Sequence, residues 1–254
     1  MMFMLFNYHT HTHRCHHAKG TEKEYIEAAI VSGMKTLGFS DHAPYLFPDG
    51  SVSHFRMAND ELFSYAETIR ALAKEYQKDI RILCGFELEY YPEYHENEMR
   101  FLNQVSPDYL LLGQHFIYNE QFRPHTHAMS KNDEFLTAYV TQVLEAIQTG
   151  DFLYIAHPDI IGTDYSPECV QREFTRLCQG AKENDIPLEI NLLGVRENRR
   201  YPCREFFKIA AKVGNEVIIG LDAHSPNAFF SPAEENARAM AQILGLRLIE
   251  KPIL

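Results

Sequence analysis

The stretch Asn7–Gly20, NYHTHTHRCHHAKG, places five histidines within nine positions, directly behind a short apolar run. In an extended strand alternate side chains turn to the same face, so His9, His11 and His13 align on one side while Thr10 and Thr12 take the other. That spacing lets two imidazoles reach one metal ion. The rest of the chain reads as support for such a site.

Downstream, short apolar runs alternate with amphipathic helical stretches, and no linker or internal repeat interrupts them. The pattern predicts an α/β fold built as a barrel of parallel strands. Thr21 and Glu24 form a capping box for a helix carrying Tyr25, Ile26, Ala29 and Ile30 on one face, and Asn59 is expected to cap a longer helix from Leu62 to Tyr76. Ser130 and Asp133 repeat the capping-box spacing, and Ser231-Pro232 opens the last helix with Pro at its first position. Phe116–Met129, with His125 and His127, reads as a loop that could serve as a lid, and Leu192–Tyr201 as a loop with three arginines.

The strand ends carry the functional signal. Strand one delivers His9 and His11, strand two (Thr36–Ser40) His42, strand three Glu87 and strand four, YLLLG, His115. Strand five (Phe152–Ala156) delivers His157 and strand seven (Glu216–Leu221) Asp222 and His224, while strand six stops at Asn191. In a parallel barrel all C-terminal ends meet at one face, so these residues converge. A set of His, Asp and Glu without thiolate suits zinc, manganese or iron at a catalytic site with open positions.

Composition sets the bounds. At 254 residues with 45% apolar side chains, the chain suits one domain with a large core. Met1–Phe6 is too short to cross a bilayer and lacks a basic leader, and five cysteines without a C-x-x-C pair suit a reducing compartment, so the cytoplasm is expected. A net charge of −11 argues against nucleic acid, whose binders cluster Lys and Arg. No G-x-G-x-x-G, P-loop or G-x-S-x-G motif is present, and the consecutive Ser40, Asp41 and His42 cannot align as a triad.

His9-Thr-His11 followed by Cys15-x-His17-Ala, then GFSDH at His42, GFE at Glu87, GQHF at His115, AHPD at His157 and LDAHS at Asp222 and His224, together resemble the PHP (polymerase and histidinol phosphatase) superfamily. The match spans nearly the whole chain, and Tyr8–Ala18, Ser40–Pro44 and Glu189–Arg196 bring it nearest to the histidinol-phosphatase branch. The resemblance implies a distorted (β/α)7 TIM-like barrel over residues 1–254, acting as a PHP-type metal-dependent phosphatase domain with three divalent ions. It assigns His9, His11, Glu87 and Asp222 to one ion, a shared Glu87 with His115 and His157 to a second, and His17, His42 and His224 to a third. His16 adjoins His17, and the sequence leaves open which of the two reaches that ion. The chain departs from the pattern at Leu192 and Leu193, where Thr or Ser is common.

The chemistry expected of such a site is phosphate-ester hydrolysis. Three divalent ions less two carboxylates leave about +4, which draws an anionic ester into an acidic protein. Water bound to such an ion has its pKa lowered toward about 7, so hydroxide can attack phosphorus while the other ions hold the phosphoryl oxygens. Glu87, Asp222 and His224 are the expected catalytic residues, and Arg196 the expected phosphate clamp, with Arg199, Arg200 and Arg56 as further candidates. Asp41 and Asp159 could orient ligand imidazoles, whereas His13, His54, His95, His125 and His127 read as surface or lid residues and Cys15 as packing behind the ligands. The reaction that the resemblance implies releases L-histidinol and phosphate from L-histidinol phosphate, a small-molecule partner, with no membrane or nucleic acid involved. Its rivals are a PHP-type phosphoesterase on another ester or nucleotide, an amidohydrolase-like metal hydrolase, and a metal-binding barrel without catalysis.

Overall fold

The structure, a computed structural model, describes residues 4–121, 125–126, 132–251 and 253–254. His127 and Ser130 lie outside the described residues, as does most of the second half of the expected lid.

Eight parallel strands follow one another around a single sheet in chain order: β1 (Phe6–Asn7), β2 (Thr36–His42), β3 (Arg81–Leu88), β4 (Tyr109–Leu112), β5 (Tyr154–Ile155), β6 (Leu188–Asn191), β7 (Glu216–Gly220) and β8 (Arg247–Leu248). Between them run α1 (Glu22–Val31), α2 (Leu62–Glu75), α3 (His95–Leu102), α4 (Asp133–Ile147), α5 (Pro167–Glu183), the short α6 (Leu192–Arg196), α7 (Arg204–Val213) and α8 (Ala233–Leu244). This is the expected α/β, TIM-like barrel with one strand more than seven.

The ring closes at one end only. Thr10, just past β1, bridges Ala223, just past β7, with His11 N–H donating to the Ala223 carbonyl at 3.0 Å and Ala223 N–H to that of His9 at 3.2 Å. At the other end β1 is too short to cover β7, and β8 pairs there instead, Glu216 with Arg247 and Val217 with Leu248. The Tyr8 hydroxyl then accepts the Ile253 and Leu254 N–H groups at 3.0 and 3.3 Å, which ties the C-terminus beneath the barrel.

Alternation along each strand divides the core in two. Leu37, Phe39, Phe86, Leu110 and Ile190 pack outward against helix residues such as Tyr25, Ile69, Tyr139 and Phe174. The other faces form the barrel interior, and its composition changes along the strands. Phe6, Leu83, Tyr109, Leu111, Tyr154 and Ile218 fill it near the strand starts, whereas Glu87, Glu189, Asn191 and Asp222, all buried, occupy the strand ends. Apolar packing thus supports a polar floor from below.

Local expectations mostly match. Thr21 and Glu24 form the capping box of α1. Asn59 does not cap α2: it lies in a 3-10 turn in which the Glu61 carboxylate takes the Ala58 N–H at 2.8 Å. Asn132 caps α4, accepting from Glu134 N–H at 3.0 Å. The segment after β6 begins as α6, because the Asn191 side chain accepts the Gly194 N–H at 3.1 Å and starts a turn. α8 starts at Ala233, with Ser231 Oγ accepting its N–H at 3.2 Å, so Pro232 precedes the helix.

Candidate metal centre

Each strand end turns its side chain onto one floor through a local device. At the end of β1, Asn7 Oδ1 takes the Leu221 N–H at 2.8 Å while its amide donates to the His9 carbonyl and Thr10 hydroxyl, which fixes the HTH segment. His157 and Asp222 adopt φ of 31° and 48°, in the left-handed region. Such conformations cost non-glycine residues about 1–3 kcal/mol and cluster at functional sites. His16 does the same at φ 66° and turns the chain back, so that His17 faces the site. Gly113 and Gly220 leave the space that the Glu87 and Glu189 carboxylates occupy, since a Cβ at either glycine would collide with them.

Glu87 lies at the centre. Its Oε1 is 2.8 Å from His157 Nε2, 3.6 Å from His9 Nε2 and 3.7 Å from His115 Nε2. Its Oε2 is 3.0 Å from His42 Nδ1 and 3.5 Å from His11 Nε2. Asp222 Oδ1 lies 3.3 Å from His11 Nε2, 3.7 Å from His9 Nε2 and 3.2 Å from His224 Nδ1. At the mouth, His224 Nε2 and His17 Nε2 are 3.0 Å apart. All nine residues expected as ligands meet here, and His17 rather than His16 joins His224.

The backs of the imidazoles are held by buried groups. Glu189 Oε1 accepts from His9 Nδ1 at 2.8 Å, Glu89 Oε1 from His115 Nδ1 at 2.7 Å, and Asp41 Oδ1 lies 3.3 Å from His11 Nδ1. The Cys15 carbonyl accepts from His17 Nδ1 at 2.6 Å. These contacts fix ring orientation and leave the opposite nitrogens of His9, His11 and His115 facing the carboxylates and that of His17 facing His224.

A metal fits this set. His9 Nε2, His42 Nδ1, Glu87 Oε2 and Asp222 Oδ1 are buried without a hydrogen-bond partner. Metal–ligand bonds of about 2.0–2.2 Å put two ligand atoms of one tetrahedral ion roughly 3.4 Å apart, close to the 3.3–3.7 Å separations seen between the imidazoles and these carboxylates. His9 with His11 and Asp222, His9 with Glu87 and His157, and His11 with His42 and His224 each form a group able to hold an ion. Among the described residues the ion-pair partners of Glu87 and Asp222 are all imidazoles.

The electrostatics differ from floor to mouth. Burial alone would lower His9, but the carboxylates of Glu189, Asp222 and Glu87 outweigh it and raise it to about 10. His11 is likewise raised against burial, by hydrogen bonds to Asp222 and Asp41. Burial would raise Glu87 and Asp222, yet the surrounding imidazoles hold both well below the ordinary carboxylate range. His17 is lowered to about 4 by burial and by the neighbouring His224 and His11, and burial with His11 also lowers His224.

The floor opens into a cavity of about 1080 Å³ walled by Phe55, Phe116, His125, Arg199, Arg200 and Tyr201. Here several expectations are corrected. The Arg196 guanidinium donates to the Leu221 and Asp222 carbonyls at 2.9 and 3.0 Å and so braces the Asp222 turn. Arg56 is buried among Glu89 and Glu120 and does not reach the cavity. Arg199 and Arg200 do, the first held by Glu197 and the Tyr201 hydroxyl, the second by Asp164. Asp159 orients no imidazole but takes the Cys203 N–H. His95 is buried on Asp151 at 2.7 Å, and His54 and His125 line the cavity. Cys15 is buried, as expected, yet its sulfur lies within 4.8 Å of the His17 and His224 donor atoms. Glu189 had no role assigned from sequence; a carboxylate on the inward face of an otherwise apolar strand, two residues before Asn191, is the signal that marks it.

A family model described as PHP domain matches residues 7–192. The chain belongs to the PHP domain family. Its relatives include a protein named probable histidinol-phosphatase from Deinococcus radiodurans, 26% identical over 86% of this chain and 85% of that one. A histidinol-phosphatase from Bacillus subtilis is 26% identical over 74% of this chain and 81% of its own length. In fold, this PHP domain is similar to the crystal structure of histidinol phosphate phosphatase from Lactococcus lactis complexed with zinc, L-histidinol and phosphate. The TM-score there is 0.71 at 17% identity, over 97% of this chain and 95% of that one. The motif from Asn7 onward and the Glu87, His115 and His157 strand ends lie inside the matched region, whereas Asp222 and His224 lie beyond it.

Proposed function

We propose that this chain is a metal-dependent phosphomonoesterase that hydrolyses L-histidinol phosphate to L-histidinol and phosphate, in histidine biosynthesis, with residues 1–254 working as one domain. The convergence of His9, His11, Glu87, His157 and Asp222 on one buried floor carries the reaction class. The substrate follows the names of the relatives and the ligands of the similar structure.

Three divalent ions, of zinc, manganese or iron, are the proposed complement. His9, His11, Glu87 and Asp222 would hold one, Glu87 with His115 and His157 a second, and His17, His42 and His224 a third. Divalent ions held there would supply Lewis acidity, acidifying coordinated water and drawing charge from the phosphoryl oxygens. The chain's own residues do the rest. Glu189, Glu89 and Asp41 orient His9, His115 and His11 through the Nδ1 nitrogens, on the ring side opposite the Nε2 atoms that face Glu87. Arg199 and Arg200 at the mouth meet the ester's negative charge. The Tyr201 hydroxyl, kept protonated by burial, offers a hydrogen bond beside them. Phe55 and Phe116, stacked with centroids 5.6 Å apart, give the organic part of the ester an apolar wall.

All five cysteines are free and buried, and among the described residues no helix is long and apolar enough to cross a membrane. A cytoplasmic site of action is proposed on that basis together with the biosynthetic role. Metal-loaded protein incubated with L-histidinol phosphate and with a panel of other phosphomonoesters tests the reading through released phosphate. Turnover on the named ester is expected to exceed the panel by at least about tenfold; equal turnover on all would remove the named substrate.

A further inference from the structure

Arg56 takes no direct part in the cluster, yet it is 1% exposed. Its Nη2 forms ion pairs with both Glu89 Oε2 and Glu120 Oε2, its Nε donates to Glu120 Oε2 at 3.1 Å and its Nη1 to the Ala43 carbonyl at 3.3 Å. A guanidinium is buried at tolerable cost only when carboxylates and carbonyls surround it, and here they come from three chain segments. One partner leads to the metal floor: the other oxygen of Glu89 accepts the His115 Nδ1–H at 2.7 Å, and the far nitrogen of that ring faces Glu87 Oε1 at 3.7 Å. The second partner leads to the cavity wall. Glu120 also accepts from Tyr91 at 3.0 Å and from the Ser53 hydroxyl, and the guanidinium carbon lies 4.6 Å from the centroid of Phe55, which stacks on Phe116.

We propose that Arg56 is a positioning residue for the metal site: through Glu89 it holds the His115 ring with Nε2 toward Glu87, and through Glu120 it locks the aromatic cavity wall to that orientation. The inference rests on the metal-centre reading. Among the described residues Glu89 Oε2 has no hydrogen-bond partner, and Arg56 is its one ion-pair partner. Without the guanidinium the carboxylate can rotate, and His115 loses the partner that selects its coordinating nitrogen. Removal of a group that backs a metal-ligating histidine typically weakens metal binding by about 10–100-fold. Arg56 stands one contact further out, so about tenfold is expected.

Metal-stripped wild type, Arg56→Met, Arg56→Lys and Glu89→Gln are titrated with Zn²⁺ against a chromophoric chelator, then loaded with Co²⁺ for visible absorption. Arg56→Met is expected to weaken one class of zinc site about tenfold, leave the others unchanged and alter the Co²⁺ bands. Glu89→Gln is expected to weaken the same class, the double variant to bind no worse than Glu89→Gln alone, and Arg56→Lys to recover part of the loss. Wild-type zinc affinities and Co²⁺ bands in folded Arg56→Met overturn the inference, even if its melting temperature falls, because packing alone would then account for the residue. Should Arg56→Met not fold, wild-type affinity in Glu89→Gln overturns it equally. Wild-type protein that binds no zinc overturns the metal-centre reading itself, a result distinct from equal binding by wild type and variants.

Discussion

The floor and the mouth of the cavity are built from the same side chain under opposite electrostatics. At the floor, His9 and His11 face Glu87 and Asp222 and are backed by Glu189 and Asp41, so both rings are raised well above the ordinary imidazole value. At the mouth, His17 and His224 face one another with Nε2 atoms 3.0 Å apart and are lowered by burial and by neighbouring imidazoles. The floor therefore carries an excess of negative charge that protons or metal ions must balance, whereas the mouth presents neutral rings that need no counterion. An ion at the floor would be held by charge and by ligands fixed from behind. One at the mouth would rely on imidazole lone pairs.

That contrast is broken most directly at Glu87, the residue every floor imidazole shares. Glu87→Gln keeps the shape and removes the charge. It is expected to lower phosphate release by at least about 10³-fold, as loss of a central electrostatic group does, and to reduce the bound metal counted by elemental analysis. Turnover within tenfold of wild type would mean that the floor is not the reacting site. Glu189→Gln tests the backing of the floor alone. It leaves every proposed ligand in place but removes the carboxylate charge on His9 Nδ1, and metal affinity should fall by about 10–100-fold, read by chelator competition. The corresponding change at the mouth has no equivalent, because His17 is backed by a backbone carbonyl.

The floor was more legible in the sequence than the mouth and the cavity wall. Parallel strands gather their C-terminal ends at one face, so His9, His42, Glu87, His115, His157 and Asp222 could be placed together from strand ends alone. Which of His16 and His17 faces His224 could not be read, because it turns on the left-handed φ of His16, a property of the turn and not of spacing. The surroundings of Arg196 and Arg56 were hidden for a related reason. Where a guanidinium goes depends on which acceptors the fold brings to it: Arg196 found two backbone carbonyls and Arg56 two buried carboxylates, and neither is visible from local sequence. The eighth strand was missed because Arg247–Leu248 is only two residues long, and its pairing depends on how little of β7 the short β1 covers.

Proton competition sharpens the comparison further. In the metal-free protein His9, at about 10, holds its proton at neutral pH, so an ion entering the floor must displace it. Zinc affinity there is expected to rise with pH by about tenfold per unit for each proton displaced, across pH 6 to 9. At the mouth His17, at about 4, is already unprotonated throughout that range, and affinity should stay flat. Chelator competition at several pH values, with proton release followed in weak buffer, separates the two classes of site. Equal slopes for both would show that floor and mouth share one electrostatic environment.

The smallest expected effect decides between two adjacent histidines. His17 Nε2 meets His224, while the exposed His16 lines the cavity without meeting the cluster. His17→Ala removes one of the three imidazoles proposed for the mouth and should weaken that class of zinc site alone, by about tenfold or more, leaving the steep pH dependence of the floor unchanged. His16→Ala should shift zinc affinity and turnover by no more than about twofold, because a substitution at an exposed residue away from fixed contacts has little effect. Its backbone holds the left-handed turn at φ 66° and closes it on the His13 carbonyl, so His16→Gly, which adopts that conformation freely and keeps that N–H, should match or exceed wild type. A larger loss at His16 than at His17 would exchange their roles and place the mouth ion one residue earlier in the chain.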